Sequence, residues 1–252
     1  MRLRTLLSIN LHHLSTDELR RLFSNWLNQP NQKLVVTPNS EILLLAHHDK
    51  EFAEILNHAD LSLPDGSGQK FAAWFNGFNL TRHPGVDSLN LLIELCVQNN
   101  KKILFFGGKK ENTETAASKM KEKFPNINVL TFDPGRVAAD GKVDQTIIDQ
   151  INQLAPDVLA VALGQRKQER FANSYLKQIP TVKIIIGIGG ALDMISGNLP
   201  RAPKFLRRLG LEWFWRLVIE PSRWPRIVRA VIIFPIVVII EKIKSPFTKK
   251  AK

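Results

Sequence analysis

Asp65 lies between Pro64 and Gly66, directly after a short apolar run at residues 60–63, so a carboxylate sits on a sharp turn at a strand end. In that place it can face a cleft as a general base, or it can cap the helix that follows. Thr37 and Asn39 hold the matching position after the run at residues 33–37. A hydroxyl and an amide there can hold a substrate oxygen or, equally, cap a helix. Gly107-Gly108 follows the run at residues 102–106, where backbone N–H groups can approach a phosphate. Gly187, Gly189 and Gly190 repeat that arrangement, and a plain tight turn has the same signature in both places. The stretch from Gly164 to Glu169, which includes Lys167 and Gln168, packs polar groups just past an apolar strand. It suits a sugar or a phosphate, and also a solvated helix start.

Metal chemistry has little support in these residue types. The histidines, His12, His13, His47, His48, His58 and His83, form no H-x-x-x-H pair, and Cys96 is the single cysteine. No D-x-D pair is present to chelate a divalent ion across a diphosphate. Any bound diphosphate must then be neutralised by Arg, Lys and backbone N–H groups. No G-x-S-x-G elbow marks a nucleophilic serine. No metal and no cofactor is expected.

These residues need a frame, and the pattern supplies one. Apolar runs at residues 33–37, 60–63, 102–106, 128–132, 157–163 and 182–188 alternate with helix-like segments at 41–57, 68–75, 88–99, 111–124 and 145–153. Such alternation predicts an α/β domain, and the continuous apolar runs at 157–163 and 182–188 predict a parallel central sheet covered on both faces. In such sheets ligands bind beyond the carboxyl ends of the strands, where all the motifs above fall.

The last 52 residues are of another kind. They hold 13 Lys/Arg against Glu212, Glu220 and Glu241, ten of the chain's twelve net positive charges, together with Trp213, Trp215 and Trp224. The apolar run at residues 230–240 is about half of what a spanning helix needs and carries Pro235 in its middle. With basic flanks it fits a segment lying in a membrane interface, although a buried element with a basic rim shares the pattern. Arg216, Arg223, Arg226 and Arg229 fall on one face of any helix that carries them, which Pro221 and Pro225 interrupt. Nucleic-acid binding is disfavoured, because exposed Ile and Val add nothing to phosphate contacts. The boundary is expected near residues 198–203, giving a core at 1–198 and a basic, partly helical appendage at 199–252. A lone cysteine and a basic start broken by Asn10, His12 and His13 predict a cytoplasmic protein without a secretion signal.

In order along the chain, V-V-T-P-N-S-E-I from Val35, A-D-L-S-L-P-D-G from Ala59, Arg82 with P-G-V-D to Asp87, F-F-G-G to Gly108, A-L-G with K-Q-E to Glu169, G-I-G-G-A-L-D from Gly187, R-A-P from Arg201 and L-G-L-E-W-F-W-R-L from Leu209 resemble the WecG/TagA/CpsF glycosyltransferase family. The resemblance runs from about Val35 to Arg226. It implies a Rossmann-like α/β core with a membrane-meeting C-terminal appendage that closes over the site. The implied enzyme is metal-independent and inverting, and moves an N-acetylmannosamine-like sugar from a UDP-sugar to undecaprenyl-diphosphate-linked N-acetylglucosamine for teichoic acid or surface polysaccharide. It would sit on the inner face of the cell membrane.

Carried over by residue, the resemblance makes Asp65 the base and Thr37 a contact near the transferred sugar. Arg82, Asp87, Gln168 and Glu169 are expected to face the pocket, and Arg216, Arg223 and Arg226 to bind the lipid diphosphate. The chain departs from the usual pattern at Gln165-Arg166 and at Arg136-Val137, both expected near the pocket, and the charged Arg166 suggests a different or acidic sugar. A membrane-bound nucleotide-sugar sensor or scaffold is the rival reading, since such a ligand module needs no base. Oligomeric state leaves no sequence signature here.

Overall fold

A computed structural model describes residues 1–248, so Lys249, Lys250 and Lys252 of the basic tail lie outside the described residues. The chain opens with a hairpin, β1 (Arg2–Leu6) and β2 (Ile9–His13), closed by Leu7 and Ser8 at positive φ. Next comes α1 (Thr16–Leu27), whose capping box exchanges Glu18 N–H to Ser15 Oγ and Ser15 N–H to the Glu18 carboxylate. Neither element was expected. The hairpin alternates only weakly, and α1 buries just Leu19, Phe23, Trp26 and Leu27 along one stripe.

The core then reads β3 (Lys33–Val36), α2 (Ser40–His48), α3 (Lys50–His58), β4 (Leu61–Ser62), α4 (Ser67–Phe75), α5 (Gly85–Gln98), β5 (Lys102–Gly107), α6 (Lys110–Lys123), β6 (Asn128–Phe132), α7 (Gln145–Leu154), β7 (Val158–Ala162), α8 (Lys167–Tyr175), β8 (Ile184–Gly187) and α9 (Ala191–Ile195). The helix expected over 41–57 is two. Asp49 leaves helical geometry between them and caps α3 by accepting from Phe52 N–H at 3.1 Å.

Six strands form one parallel sheet in the order β4-β3-β8-β7-β5-β6. Successive side chains point to opposite faces, so Phe105, Ile184 and Ile186 enter one apolar cluster while Phe106 and Ile185 enter the other. Both clusters are shielded by helices, which is why β7 and β8 are buried along their whole length. Cys96 is buried in the first cluster as a small apolar residue.

The tail holds α10 (Lys204–Arg208), α11 (Glu212–Ile219), α12 (Trp224–Val228) and α13 (Phe234–Thr248). Pro235 does not interrupt the helical path. A π-helical turn at Arg229–Ile233 runs directly into α13, and this irregularity accommodates the N–H that Pro235 lacks. Among the described residues no helix is long and apolar enough to cross a membrane. The apolar run is two-sided: Phe234 and Val238 are buried in the second core cluster, while Ile236, Ile240 and Ile243 stay exposed.

Candidate active site

The loops after β3 and β4 are tied by a backbone bond from Asp65 N–H to the Pro38 carbonyl, 3.1 Å. This brings Thr37, Asn39 and Asp65 to one wall of a cleft of about 1050 Å³ at the carboxyl ends of the strands. Gly107, Gly108, Gly189, Gly190 and Gln168 line the sheet side of that cleft, and Arg82, Arg216, Arg223 and Arg226 line the tail side. Parallel crossovers return the strand ends to this edge, and the tail helices add Arg216, Arg223 and Arg226, the last 189 positions from Thr37 in sequence.

Asp65 does not cap α4. The N-cap of that helix is Gly66, whose N–H is taken by Gln69 Oε1 at 3.1 Å, so the Asp65 carboxyl is left to the cleft. Loss of hydration pushes its pKa up to about 7, against the pull of the Arg82 charge and the Gly85 N–H; Glu212 and Asp87 push it further up. Arg82 itself is held by Glu212 of α11 at 2.5 Å. The loop after β4 and the tail therefore meet at the carboxylate.

The other polar groups are more engaged than the sequence suggests. Thr37 Oγ1 donates to the Gly187 carbonyl at 2.7 Å and keeps only its acceptor capacity for the cleft. Asn39 caps α2, its Oδ1 accepting from Ile42 N–H at 3.0 Å, and its NH₂ remains for the cleft. Gly107 and Gly108 both have positive φ, and a side chain on Gly108 would meet Thr113 Oγ1 at 2.8 Å. Yet the Gly108 N–H is spent on the Ala162 carbonyl at 3.0 Å, so that part of the expected phosphate cradle is closed.

Gln168 is likewise occupied at both ends of its amide: Nε2 donates to Glu169 Oε1 at 2.8 Å and Oε1 accepts from Gly189 N–H at 3.0 Å. Its evident work is to fix the Gly189 loop. Glu169 was expected in the pocket and instead lies buried behind it; burial raises its pKa to about 7. Asp87 is also outside the lining, paired with Arg201 at 2.6 Å. Glu169 follows a strand end and Asp87 was expected there from the resemblance, but both stand in the first turn of a helix, α8 and α5, which has an inner and an outer side.

Of the two departures, Arg136 and Val137 do line the cleft, and so does Gln165. Arg166 does not: it has φ 68°, turns toward Asp49, which also takes Arg170 at 3.1 Å, and lies over the Phe52 ring. Its charge braces the α2–α3 break, so it gives no ground for an acidic sugar. Among the described residues no group of three or more His, Cys, Asp or Glu gathers as metal ligands. Three histidines are structural staples: half-buried His12 and His13 accept through Nδ1 from Ser62 N–H and Thr81 N–H, each at 3.0 Å, and buried His83 bonds the Leu14 carbonyl through Nε2 at 2.9 Å.

Glu41 is the residue that motif reading passed over. It is almost fully buried in the first turn of α2, where it receives Arg226 at 2.8 Å, Arg229 at 3.5 Å and Gln165 Nε2 at 2.9 Å. Glu220 similarly receives Arg216 at 3.0 Å and Arg223 at 2.9 Å. The arginines thus converge on the cleft with acids as partners. Burial first, and the nearby Arg223 charge second, lower the pKa of Arg216. The run S-E-I at Ser40 carried the only available signal, an acid at a helix N-terminus beside the cleft.

The sequence pattern of the Glycosyl transferase WecG/TagA/CpsF family matches residues 4–247, wider than the stretch that carries the resemblance. Relatives include a protein of Bacillus subtilis (strain 168) named N-acetylglucosaminyldiphosphoundecaprenol N-acetyl-beta-D-mannosaminyltransferase, 33% identical over 81% of this chain and 78% of that protein. Proteins of the same name from Bacillus spizizenii and Staphylococcus aureus (strain MRSA252) are 33% and 29% identical, each over 84% of this chain and 80% of the relative. With a parallel α/β core whose strand ends gather the quoted motifs around one cleft, the chain belongs to the WecG/TagA/CpsF family of glycosyltransferases.

Proposed function

We propose that this enzyme transfers an N-acetylmannosamine-like sugar from a UDP-sugar to undecaprenyl-diphosphate-linked N-acetylglucosamine, with inversion and without a metal. The observation that carries the reading is the Asp65 carboxyl: free of capping duty, on the cleft wall, with a pKa near 7 and cationic side chains opposite. A carboxylate poised there accepts the proton of the acceptor hydroxyl as its oxygen attacks the anomeric carbon. UDP departs from the opposite face of the sugar, and Thr37 accepts a hydrogen bond from the substrate. The names of the relatives supply the sugar and the acceptor.

In this reading residues 1–198 hold the donor and the base. Residues 199–252 bring Arg216, Arg223 and Arg226 to a diphosphate, which displaces Glu41 and Glu220 as their partners. The basic tail holds the protein on the anionic inner face of the cell membrane, where the lipid-linked acceptor is found. The product serves teichoic acid or surface polysaccharide synthesis.

The test is UDP release by the purified full chain with a panel of UDP-sugars and a soluble lipid-diphosphate N-acetylglucosamine analogue, in EDTA. Acceptor-dependent release that Asp65→Asn lowers by roughly 10²-fold or more supports the assignment. Release that the variant leaves unchanged removes Asp65 as the base, and release abolished by EDTA removes the metal-free mechanism.

A further inference from the structure

The second apolar face of α13 has a neighbour that belongs to the α/β core. Phe234 and Val238 point into the protein, and Ile236, Ile240 and Ile243 recur four and three residues apart on the opposite side, between 43% and 61% exposed. Helix α4 runs beside this segment. A side chain on Gly68 would touch the Ala230 carbonyl at 3.3 Å, and seven residues further on Lys242 bonds the Phe75 carbonyl and lies 4.3 Å over its ring. Helix α4 buries Gln69, Ala72 and Ala73 and turns Phe71 and Trp74 outward, at 45% and 69% exposure. Phe71 packs on both Trp74 and Phe75, so the aromatic surface continues to Lys242 without a break.

We propose that α4 and the outer face of α13 form one bilayer-contacting ridge, in which Phe71 and Trp74 of the core enter the headgroup boundary beside Ile236, Ile240 and Ile243. The inference rests on the membrane-surface part of the function proposed above and extends it to a core helix. Exposed Lys70, Arg229 and Lys242 border the ridge. Paired symmetrically, a second copy of the chain would bring these like charges together, whereas an anionic lipid surface neutralises them. An indole flanked by branched aliphatics and cations is the composition suited to that boundary. Phe71 also lines the cleft, as do Val231 and Pro235, so the ridge sets the mouth of the cleft against the bilayer. A lipid-linked acceptor could then enter without leaving the membrane.

The test uses the full chain and vesicles of equal parts phosphatidylcholine and phosphatidylglycerol, with pure phosphatidylcholine for comparison. A bimane label is placed at Trp74→Cys, since Cys96 is buried and unreactive. The expected result is a blue shift on the mixed vesicles, quenching by doxyl lipids, and vesicle binding weakened roughly tenfold by Trp74→Glu. UDP release with a short-chain soluble acceptor should be unchanged in that variant. If the unsubstituted chain binds neither vesicle, the membrane-surface reading itself fails. If it binds while the label stays in water and Trp74→Glu binds equally well, the tail alone makes the contact and the ridge is overturned. A blue shift without lipid, accompanied by self-association in sedimentation, assigns the face to a second copy and overturns it as well.

Discussion

Glu212 in the tail holds the guanidinium of Arg82 at 2.5 Å, and both charges act on the carboxyl of Asp65. Arg82 alone would draw that carboxyl down toward the ordinary acid range. Glu212 opposes it, so burial decides the outcome and leaves the pKa near 7. The poise of the proposed base therefore depends on a residue from the C-terminal segment, 147 positions away in sequence.

Replacing Glu212 by Gln tests that dependence. The carboxyl of Asp65 would then feel an unopposed Arg82, and its pKa should fall. With a base that works deprotonated, activity rises as pH passes through its pKa, so the acid limb of the UDP-release profile should move from about pH 7 to lower pH. An unmoved limb, with activity merely scaled down, would mean that Glu212 only holds the tail in place.

Glu41 occupies Arg226, one of the three arginines that the proposed mechanism brings to a diphosphate, and Arg229 beside it. In Glu41→Gln that competition is gone, and Arg226 and Arg229 carry uncompensated charge. Both arginines are partly exposed, so the gain is modest: about 1 kcal/mol, or roughly fivefold tighter pyrophosphate binding by calorimetry, shrinking with added salt. Weaker binding in the variant would show that Glu41 aims the arginines and does not compete for them.

The parallel sheet was legible because β7 and β8 are continuous apolar runs that end at glycine, and burial on both faces demands that pattern. The hairpin at residues 2–13 was not legible, since it alternates weakly and is held in place by distant contacts such as His12 with Ser62, fifty residues away. Asp65 and Thr37 could be placed at the cleft from residue type and position after a strand, and the arginines from their clustering in the basic tail. The roles of Gln168, Glu169 and Asp87 could not, because a helix start offers both a cleft side and a protein side. That the helical path runs on through Pro235 was not legible, because the π turn directly before it, which takes up the missing N–H, depends on the backbone and not on residue type.

Phe234 ties the tail to the core more firmly than a charged appendage requires. It is fully buried in the cluster that also holds Phe52, Phe106 and Phe171. Phe234→Ala leaves a cavity there and should cost about 3–5 kcal/mol, lowering Tm by roughly 10 °C in a thermal melt. A change within a degree or two would mean that the tail leaves the core readily and that residues 1–198 fold without it.

Glu169 gives a pH test of stability that involves no substrate. Its carboxyl is buried, and Oε2 lacks a hydrogen-bond partner among the described residues. Burial raises its pKa from 4.5 to about 7. The folded protein therefore binds more protons at this site than the unfolded chain between those values. The stability this contributes is full below 4.5 and is lost as pH rises through about 7. Glu169→Gln keeps an acceptor for Gln168 Nε2 and cannot ionise. Its Tm should match that of the unsubstituted protein in acid and exceed it above pH 7, and the Asp65 contribution cancels because it is present in both proteins. If the difference instead favours the unsubstituted protein as pH rises, Glu169 is ionised in the fold and its charge is held by the N–H groups at the start of α8.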